Sequence, residues 1–341
     1  MASETLSRPG SNLGDHTAEN ANFLKLFAGE VLSTFAEQNK LMPLTRVRTI
    51  SGGKSATFPV IGTASAKWHT AGESVISDTD ADTTPYLSDV KSTEKEIFID
   101  DPLVSGVLHA DIDRLKNHWD ERSEYSSAIA RALAKEADIH IMATIMGAGL
   151  AANSITAASA SSEGRVFTIS GGDATVGSKL VEAAFSATET MDNLDVPKED
   201  RVMLVRPKQF YKLAQETSLI NKDFVESNGD YSKGTVFSVA GFQVVMTNNM
   251  PVADLSSTST GMSGAKNDPM GGGGVGYNGG WDSVGCLFFQ KQAVGTVKLA
   301  DLTVGTDYHL DRLATLILAQ YAMGHGVLRP ECAIKCEATT I

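Results

Sequence analysis

The first regular apolar pattern in the chain, NFLKLFAGEVLSTFAEQN, predicts a short amphipathic helix with Asn22 as its N-cap. Its apolar positions fall on one helical face: Phe23, Leu24, Phe27, Val31 and Phe35. A helix of the chain's own core is the simpler interpretation. The residues that follow do not have the pattern of a core, however, so we expect a neighbouring chain to cover this face.

Two strand patterns separated by a long polar stretch predict an extended β-hairpin. KSATFPVI (54–61) and TEKEIFID (93–100) have strand character, and the residues between them are rich in Ser, Thr, Asp and Ala. A structureless loop of that length is uncommon in a compact domain, whereas two limbs of ~15 residues would reach roughly 50 Å. An isolated two-stranded hairpin is only marginally stable in water, so we expect this arm to lie on a neighbouring chain.

The strongest helix signal is DERSEYSSAIARALAKEADIHIMATIMGAG, residues 120–149. Its inward positions stay close to a 3.6-residue period: Tyr125, Ile129, Ala132, Leu133, Ala137, Thr144 and Ile145. Gly147 and Gly149 predict its end. Such a helix is roughly 40 Å long at ~1.5 Å per residue and predicts an elongated subunit.

From Val166 onward, strand and helix patterns alternate and predict a mixed α/β segment. Strands are expected at VFTIS, VMLVRP, FQVVMTNNMP and SVGCLFFQKQAVGTVKLADL, and helices at GSKLVEAAFSATETMDNLDVP and KQFYKLAQETSLI. The first of these helices is expected to bury Leu180, Ala184, Ala187 and Met191.

Near the C-terminus the pattern is ambiguous. Periodicity leaves residues 311–321 open between helix and strand. The tripeptide GHG (324–326) predicts a turn, with His325 as a turn histidine, and VLRPECAIKCE predicts a last strand.

Composition excludes several classes of protein. The 341 residues are 42% hydrophobic, which is enough for a sizeable core, and the formal net charge of −12 disfavours tight non-specific nucleic-acid binding. Three late cysteines (Cys286, Cys332, Cys336) form neither a disulfide framework nor a zinc knuckle, and they predict a reducing, cytoplasmic place of synthesis. The polar N-terminus is unlike a signal peptide, and no apolar run is long enough to span a membrane. The missing signal peptide and repeats also disfavour a secreted adhesin.

Two glycine motifs resemble nucleotide-binding loops but lack the required context. GVGYNG (274–279) matches G-x-G-x-x-G, yet a loop pattern precedes it and a strand pattern follows it. SGGKS (51–55) resembles the end of a Walker A motif, but Arg48 stands where the first glycine is required. We interpret both as loops or turns; a cytoplasmic α/β enzyme that uses the glycine-rich loop for a nucleotide stays as the alternative.

The remaining polar residues predict no catalytic, cofactor-binding or metal-binding site. The seven histidines include no i, i+4 pair, and the cysteines have no local His or Asn context for nucleophilic catalysis. The acidic stretch SDTDAD (77–82) lacks the glycine and the terminal glutamate of a calcium loop. Core, arms and helices without catalytic groups indicate a structural subunit whose activity is assembly.

At this point the chain resembles the major capsid proteins of tailed double-stranded-DNA phages, which have the α+β HK97-like fold. The local sequence is similar to that of short-tailed podoviruses of the autographivirus type. Five segments carry the resemblance: FLKLFAGEVLSTFAE (23–37), RTISGGKSATFPVIG (48–62), RSEYSS (122–127), AVGTVKLADL (293–302) and YAMGHGVLRPECA (321–333).

The resemblance implies a domain layout and resolves the ambiguity at 311–321 in favour of strand. Residues 1–55 would be an N-terminal arm and 56–100 the extended hairpin called the E-loop. Residues 101–165 and 289–341 would form a peripheral domain with a long spine helix. Residues 166–288 would form an axial domain with a glycine-rich insert at 254–281.

The resemblance also implies partners: other copies of the chain in pentamers and hexamers of an icosahedral head, a scaffolding protein, a portal protein and packaged double-stranded DNA, with no membrane. The location would be the capsid shell of the virion, made in the host bacterial cytoplasm. Residues nominated for contacts between subunits are Phe23, Phe27, Arg46, Arg48, Lys54, Trp68, Glu73, Asp78, Asp80 and Asp82. Within this set, the basic residues of the arm are expected to meet the hairpin acids of a neighbouring copy.

Overall fold

Two larger β-sheets, two two-stranded sheets and four helices make up the regular structure in the part of the chain that the computed structural model describes. The described residues are 30–35, 37–61, 66, 68–69, 71–72, 92–110, 122–151, 163–169, 173–216, 229–230, 235–236, 238–252 and 281–339. The architecture is α+β, as the sequence predicts.

The helices and strands have the following bounds. The helices are α1, which includes residues 30–35 and 37–38, α2 Arg122–Leu150, α3 Gly177–Asn193 and α4 Pro207–Leu213. Short 3-10 turns lie at Met42–Leu44 and Pro330–Cys332. The strands are β1 Arg46–Thr49, β2 Ser55–Ile61, β3 Ser92–Phe98, β4 Leu103–Ala110, β5 Arg165–Thr168, β6 Arg201–Val205, β7 Gly229–Asp230, β8 Thr235–Val236, β9 Ser238–Val239, β10 Phe242–Met246, β11 Val284–Gln290, β12 Val294–His309, β13 Ala314–Val327 and β14 Ala333–Glu337.

A six-stranded mixed sheet in the order β5-β14-β11-β6-β10-β9 forms the centre of the main core. Every residue of its inner strands β6 and β11 is buried, which explains their nearly continuous apolar sequences. Phe242 of β10 and Phe288 of β11 are in ring contact at 4.9 Å between centroids. The strands and helices expected from the alternating pattern are confirmed in position, including the four inward residues of α3, although α4 ends at Leu213, earlier than KQFYKLAQETSLI predicts.

A four-stranded sheet in the order β1-β12-β13-β4 forms the second layer. Its centre is the long antiparallel hairpin β12–β13, with β1 parallel to β12 at one edge and β4 antiparallel to β13 at the other. The implied strand at 311–321 is therefore confirmed from Ala314 onward.

The predicted turn at GHG is wrong, because residues 324–326 lie inside strand β13. The glycines serve close packing rather than chain reversal. A Cβ on Gly326 or on its cross-strand partner Gly295 would come within 2.8–2.9 Å of the Ile97 side chain. Glycine at this pair is what lets Ile97 pack directly onto the sheet, and His325 is a buried strand residue.

Helix α2 is 29 residues long and contacts both sheets. Its C-terminal part, residues 141–149, is buried on every side, as a helix that is apolar all round requires. The predicted end at Gly147 or Gly149 is early, since the helix continues to Leu150. A Cβ at Gly149 would lie 2.9 Å from Lys335 of β14, so this glycine permits contact with the six-stranded sheet. Ala132, expected inside, is exposed.

Helix α1 packs against the chain's own core, which corrects the expectation that a neighbour covers its described turns. Val31 and Phe35 are buried in the main core, and the Phe35 ring lies 5.7 Å from that of Tyr321 in β13. The Ser126 hydroxyl of α2 donates to the Glu30 carboxylate at 3.2 Å. Since α2 and β13 come after residue 120, the local sequence around the helix carries no sign of this core.

The hairpin strands are confirmed at its base, where β2 and β3 pair antiparallel from Ser55↔Phe98 to Ile61↔Ser92. Most of the residues between these strands, and the whole segment 253–280 with the glycine tract, lie outside the described residues.

The last strand bears on the expected division into domains. Strands β12 and β13 belong to the four-stranded sheet, whereas β14 lies between β5 and β11 in the six-stranded sheet. The segment 289–341 therefore contributes to both sheets. The domain boundaries themselves stay a prediction.

Candidate assembly surfaces

The base of the hairpin is attached to the four-stranded sheet by a small apolar core of its own. Strand β2 alternates strictly and points Ala56, Phe58 and Val60 inward. Ala56 and Phe58, with Ile97 and Ile99 from the returning limb, meet one face of the β12–β13 hairpin. We call this the hairpin face; it includes Val297 and Ala322. The arm is thus anchored at its root by apolar contacts within one chain.

The other half of the hairpin face, farther along β13, carries exposed apolar side chains. Cross-strand register places Val104 opposite Gln320, Gly106 opposite Leu318 and Leu108 opposite Leu316. Val104 is 48% exposed and Leu108 is 43% exposed, while Leu316 and Leu318 are half-buried. We call Val104, Gly106, Leu108, Leu316 and Leu318 the uncovered half. Adjacent exposed apolar side chains on a sheet are typical of a contact surface.

The end of the β12–β13 hairpin carries further exposed apolar side chains. Tyr308, Leu310 and Leu313 are all exposed, and Leu310 and Leu313 lie in the turn between the strands. Leu313 has a φ of 46°, a left-handed conformation that a branched side chain adopts at an energetic cost. An apolar, strained turn is a second candidate for contact with another molecule.

The basic residues predicted for contacts between subunits surround the root of the arm. The guanidinium groups of Arg46 and Arg48 lie 5.8 and 5.9 Å from the centre of the Phe58 ring. Arg48 also donates to the backbone carbonyl of Thr57. Both arginines are exposed on strand β1, and Lys54 is exposed just before β2. They are held in place by their own chain and still face outward.

An open groove of about 570 Å³ lies between α1 and the opposite face of the four-stranded sheet. Its apolar lining includes Leu32, Phe35, Met42, Val47, Leu302 and Met323. Asn39 and Lys298 add polar groups to the wall. The groove lies where the N-terminal arm meets the sheet.

A series of buried polar groups connects the N-terminal arm to the core beneath this groove. The Thr45 and Thr296 hydroxyls are 3.0 Å apart, and Thr296 Oγ1 is 3.0 Å from Nδ1 of His325. The His325 ring is in edge contact with that of His140 on α2 at 6.5 Å. The Leu41 amide donates to the Asp138 carboxylate at 3.4 Å.

Burial shifts the protonation of these groups. Loss of hydration lowers the pKa of His140 to about 4, and burial together with the charge of His140 lowers the pKa of His325 to about 3. Burial raises the pKa of Asp138 to about 6, although the Leu41 amide acts in the opposite direction. Both imidazoles are therefore neutral at neutral pH.

Of the other residues nominated for contacts between subunits, Trp68 alone lies within the described part of the chain. Phe23, Phe27, Glu73, Asp78, Asp80 and Asp82 lie outside the described residues. Trp68 is fully exposed. The expected pairing of basic and acidic residues stays a prediction.

The uncovered half was not predicted from the sequence, although a signal was present. In LVSGVLHA, residues 103–110, Leu103 and Val107 face the core while Val104 and Leu108 face outward. Apolar residues on both faces of a strand mean that both faces are covered, by the chain or by another molecule. The Gly and Ser in the middle of the segment weaken that pattern.

The described residues carry no nucleotide-binding loop, metal cluster or membrane-spanning helix. SGGKS forms an exposed connection between β1 and β2 with Gly53 at a φ of 118°, as expected of a turn. Within the described ranges, no group of three or more His, Cys, Asp or Glu side chains is placed to hold a metal ion. Among the described helices, none has the length and apolar character needed to cross a membrane.

Comparisons with known proteins agree with one another. A family model described as Gp10A-like: Major capsid protein matches residues 57–337. The major capsid protein of Escherichia phage T7 is 33% identical over 326 residues, which cover 92% of this chain and 90% of the relative. The corresponding protein of Enterobacteria phage T3 is 32% identical over 322 residues, with the same coverage.

Solved structures extend this similarity to the fold. The capsid structure of cyanophage P-SCSP1u aligns over 100% of both chains with a TM-score of 0.73 and 36% identity. The mature capsid of bacteriophage PhiM1 aligns over 89% of this chain and 88% of that chain with a TM-score of 0.68, at 15% identity. The fold is accordingly the HK97-like capsid fold.

Proposed function

The chain belongs to the Gp10A-like major capsid protein family, and from that premise we propose that it assembles as pentamers and hexamers into an icosahedral phage head enclosing double-stranded DNA. As a major capsid protein it is a structural component of the virion capsid. The alternative of a nucleotide-binding enzyme has no support among the relatives, which are capsid proteins.

One observation carries the proposal: the hairpin face is half covered by the chain's own arm and half exposed. The covered half uses apolar contacts with Phe58 and Ile97, and the uncovered half offers Val104, Leu108 and Leu316. We infer that the arm of a neighbouring copy lies on the uncovered half. Fully burying a Val or Leu side chain contributes roughly 1.5–3 kcal/mol, so one such contact is modest. Many copies in a closed shell add up to a stable particle.

Charge gives the second part of the proposed contact. Arg46, Arg48 and Lys54 present positive charge beside the root of the arm. The residues between β2 and β3 include Glu73, Asp78, Asp80 and Asp82. We infer that these acids meet the basic residues of an adjacent copy, which would steer and orient the arm more than hold it.

The N-terminal helix points to the third contact. Glu30 meets Ser126, close to the first described turn of α2, and Leu41 meets Asp138 three turns farther on. The N-terminal segment from Glu30 to Leu41 and helix α2 therefore run side by side in the same direction. We infer that a neighbouring copy covers Phe23 and Phe27, which precede the described turns of α1 in the sequence.

Further partners follow from family membership. We infer a scaffolding protein during assembly, a portal protein at one vertex and packaged double-stranded DNA, with synthesis in the cytoplasm of a host bacterium. The net charge of −12 suits an inner wall that does not adhere to DNA over most of its area. The layout of arm, E-loop, peripheral and axial domains is proposed with the boundaries given above.

Electron microscopy of the expressed protein tests the proposal. We expect closed shells, either from the chain alone or when a scaffolding protein is co-expressed. A compact monomer that persists at high concentration in both conditions would contradict it.

Removal of residues 66–88 tests the role of the arm. We expect the variant, closed by a short Gly-Ser linker, to remain folded because the root contacts of Ala56, Phe58 and Ile97 are kept. It should not form shells. Circular dichroism and thermal unfolding provide the folding control, and normal shells from the folded variant would refute the role of the arm.

A further inference from the structure

Two of the three cysteines lie directly opposite each other in the middle of the six-stranded sheet. Cys286 of β11 and Cys336 of β14 are register partners in an antiparallel pair. Both are fully buried, and all three cysteines are free thiols. The two thiols are close enough to hydrogen-bond to each other. Neither residue contributes to the assembly surfaces described above.

The backbone already has the spacing that a disulfide needs. Directly opposite residues of an antiparallel pair have Cα atoms ~4.5–5.5 Å apart. Disulfides span Cα separations of about 4.4–6.8 Å, so the Cα spacing of this pair permits the bond. A register shift between Val284 and Cys286 increases the local twist beside the pair.

The third cysteine cannot take part in this geometry. Cys332 lies in the 3-10 turn before β14, and Ala333 is the register partner of Phe289. At ~3.3 Å per strand residue, Cys332 is therefore roughly 10 Å or more from both Cys286 and Cys336. That is beyond the reach of a disulfide, so Cys332 is an internal control.

The two cysteines lie in the strands that precede and follow the β12–β13 hairpin. Strand β11 leads directly into β12, and β13 returns through the Pro330–Cys332 turn into β14. A bond between Cys286 and Cys336 would close the loop that contains the whole β12–β13 hairpin. It would tie together the two points at which the four-stranded sheet leaves the six-stranded sheet.

We propose that Cys286 and Cys336 are a latent cross-strand disulfide site, reduced where the chain is made and oxidised by a small disulfide such as oxidised glutathione. The Cys286 thiolate attacks the glutathione disulfide and releases one glutathione thiolate. The Cys336 sulfur then displaces the second glutathione from the mixed disulfide. Two protein thiols lose two electrons and two protons, and one glutathione disulfide is reduced to two glutathione thiols.

Burial makes this exchange slow. The pKa of Cys286 is raised well above its ordinary value by its hydrogen bond with Cys336 and by loss of hydration. Because the thiolate is the attacking species, reaction requires a local opening of the strand pair. The bond is then protected from reductants by the same burial.

The test uses the full-length chain, freed of reductant and incubated with oxidised glutathione at increasing, sub-denaturing urea. After quenching and unfolding, N-ethylmaleimide counts the free thiols by mass spectrometry. We expect three alkylated cysteines before oxidation and one afterwards, on Cys332, with a digest linking the peptides of Cys286 and Cys336. The thermal midpoint should rise by roughly 5 °C and return on reduction with dithiothreitol.

Two variants sharpen the result. Cys332→Ala should form the same link, whereas Cys336→Ala should stop at a glutathione adduct on Cys286. A parallel labelling of the folded chain with N-ethylmaleimide identifies the urea concentration at which the pair becomes accessible. Three free thiols persisting after oxidation at that concentration, an adduct that does not close, or a link that includes Cys332 would each overturn the proposal.

Discussion

The two sheets of this capsid protein differ in how much of their surface the chain itself covers. Strands β6 and β11 of the six-stranded sheet are buried at every position. In the four-stranded sheet, β1 is exposed along its whole length, and β4 turns Val104 and Leu108 outward. We infer that the first sheet contributes mainly to the stability of the single chain, whereas the second also offers surfaces to other copies.

Because of this difference, an apolar residue contributes to a different process in each sheet. In the six-stranded sheet, an apolar side chain lowers the free energy of folding. On the uncovered half, it contributes little until a second molecule covers it. Substitutions in the six-stranded sheet should therefore mainly reduce the stability of the chain. Substitutions on the uncovered half should mainly reduce particle formation.

The largest expected effect on stability comes from Phe288→Ala. Phe288 is fully buried and in ring contact with Phe242, so the cavity should lower the free energy of unfolding by about 3–5 kcal/mol. Urea unfolding of the unassembled chain measures it. Phe185→Ala is the matched control, because Phe185 of α3 is 61% exposed and should cost less than about 1 kcal/mol. Equal losses in both variants would contradict the role of Phe288 in the core of the single chain.

A fall in pH should have an intermediate effect on the free energy of unfolding. With folded pKa values of about 4 and about 3, below the ordinary 6.5, His140 and His325 stabilise the fold fully above pH 6.5 and lose this contribution as pH falls. Asp138, with its pKa raised to about 6, partly offsets the loss. Between pH 8 and pH 5 we expect a net decrease of about 2–3 kcal/mol in the free energy of unfolding.

His325→Asn provides the control for that pH dependence. The amide keeps a polar group near Thr296 but does not titrate, so most of the net loss on acidification should disappear. Unfolding midpoints in urea at pH 8 and pH 5 measure it. An unchanged pH dependence in the variant would assign the effect to other groups.

The smallest effect on stability, with the largest effect on assembly, is expected from Leu108→Asp. Leu108 is 43% exposed, so the free energy of unfolding of the unassembled chain should change by less than about 0.5 kcal/mol. Shell formation should fail, because a carboxylate would be buried on the uncovered half. Leu108→Met keeps an apolar contact and should assemble. Normal shells from Leu108→Asp, seen by electron microscopy, would remove the uncovered half as a contact surface.

Much of the six-stranded sheet and its helices could be read from the sequence. The four inward residues of α3 follow a clean helical period, and Pro207 marks the start of α4 directly after β6. Strands were predicted at VMLVRP and within SVGCLFFQKQAVGTVKLADL, and the buried strands β6 and β11 lie there. Here the local pattern and the final environment agree, because both faces of these strands are covered by nearby elements of the same chain.

Elsewhere the deciding contacts come from distant residues. The core that buries Phe35 includes Tyr321 at the other end of the chain. The glycines on either side of His325 belong to a strand because Ile97 packs on Gly326 and Gly295. No local pattern around residues 35 or 325 contains those partners.

The sequence predicted one of the candidate surfaces and missed another. Two strands with a polar stretch between them predicted the arm, and its root is confirmed. The uncovered half was missed, because the outward orientation of Val104 and Leu108 depends on the register of β4 with β13.

The sequence by itself determined the class of the protein, its long helix, its buried strands and the arm, because these depend on local periodicity and on segments shared with a family. Only the tertiary structure decided that α1 belongs to the chain's own core, that β14 joins the six-stranded sheet and that half of the hairpin face is left exposed. Each of these depends on contacts between residues that are far apart in the sequence, from about fifty positions for Cys286 and Cys336 to nearly three hundred for Phe35 and Tyr321, and it is strand register and packing that bring them together.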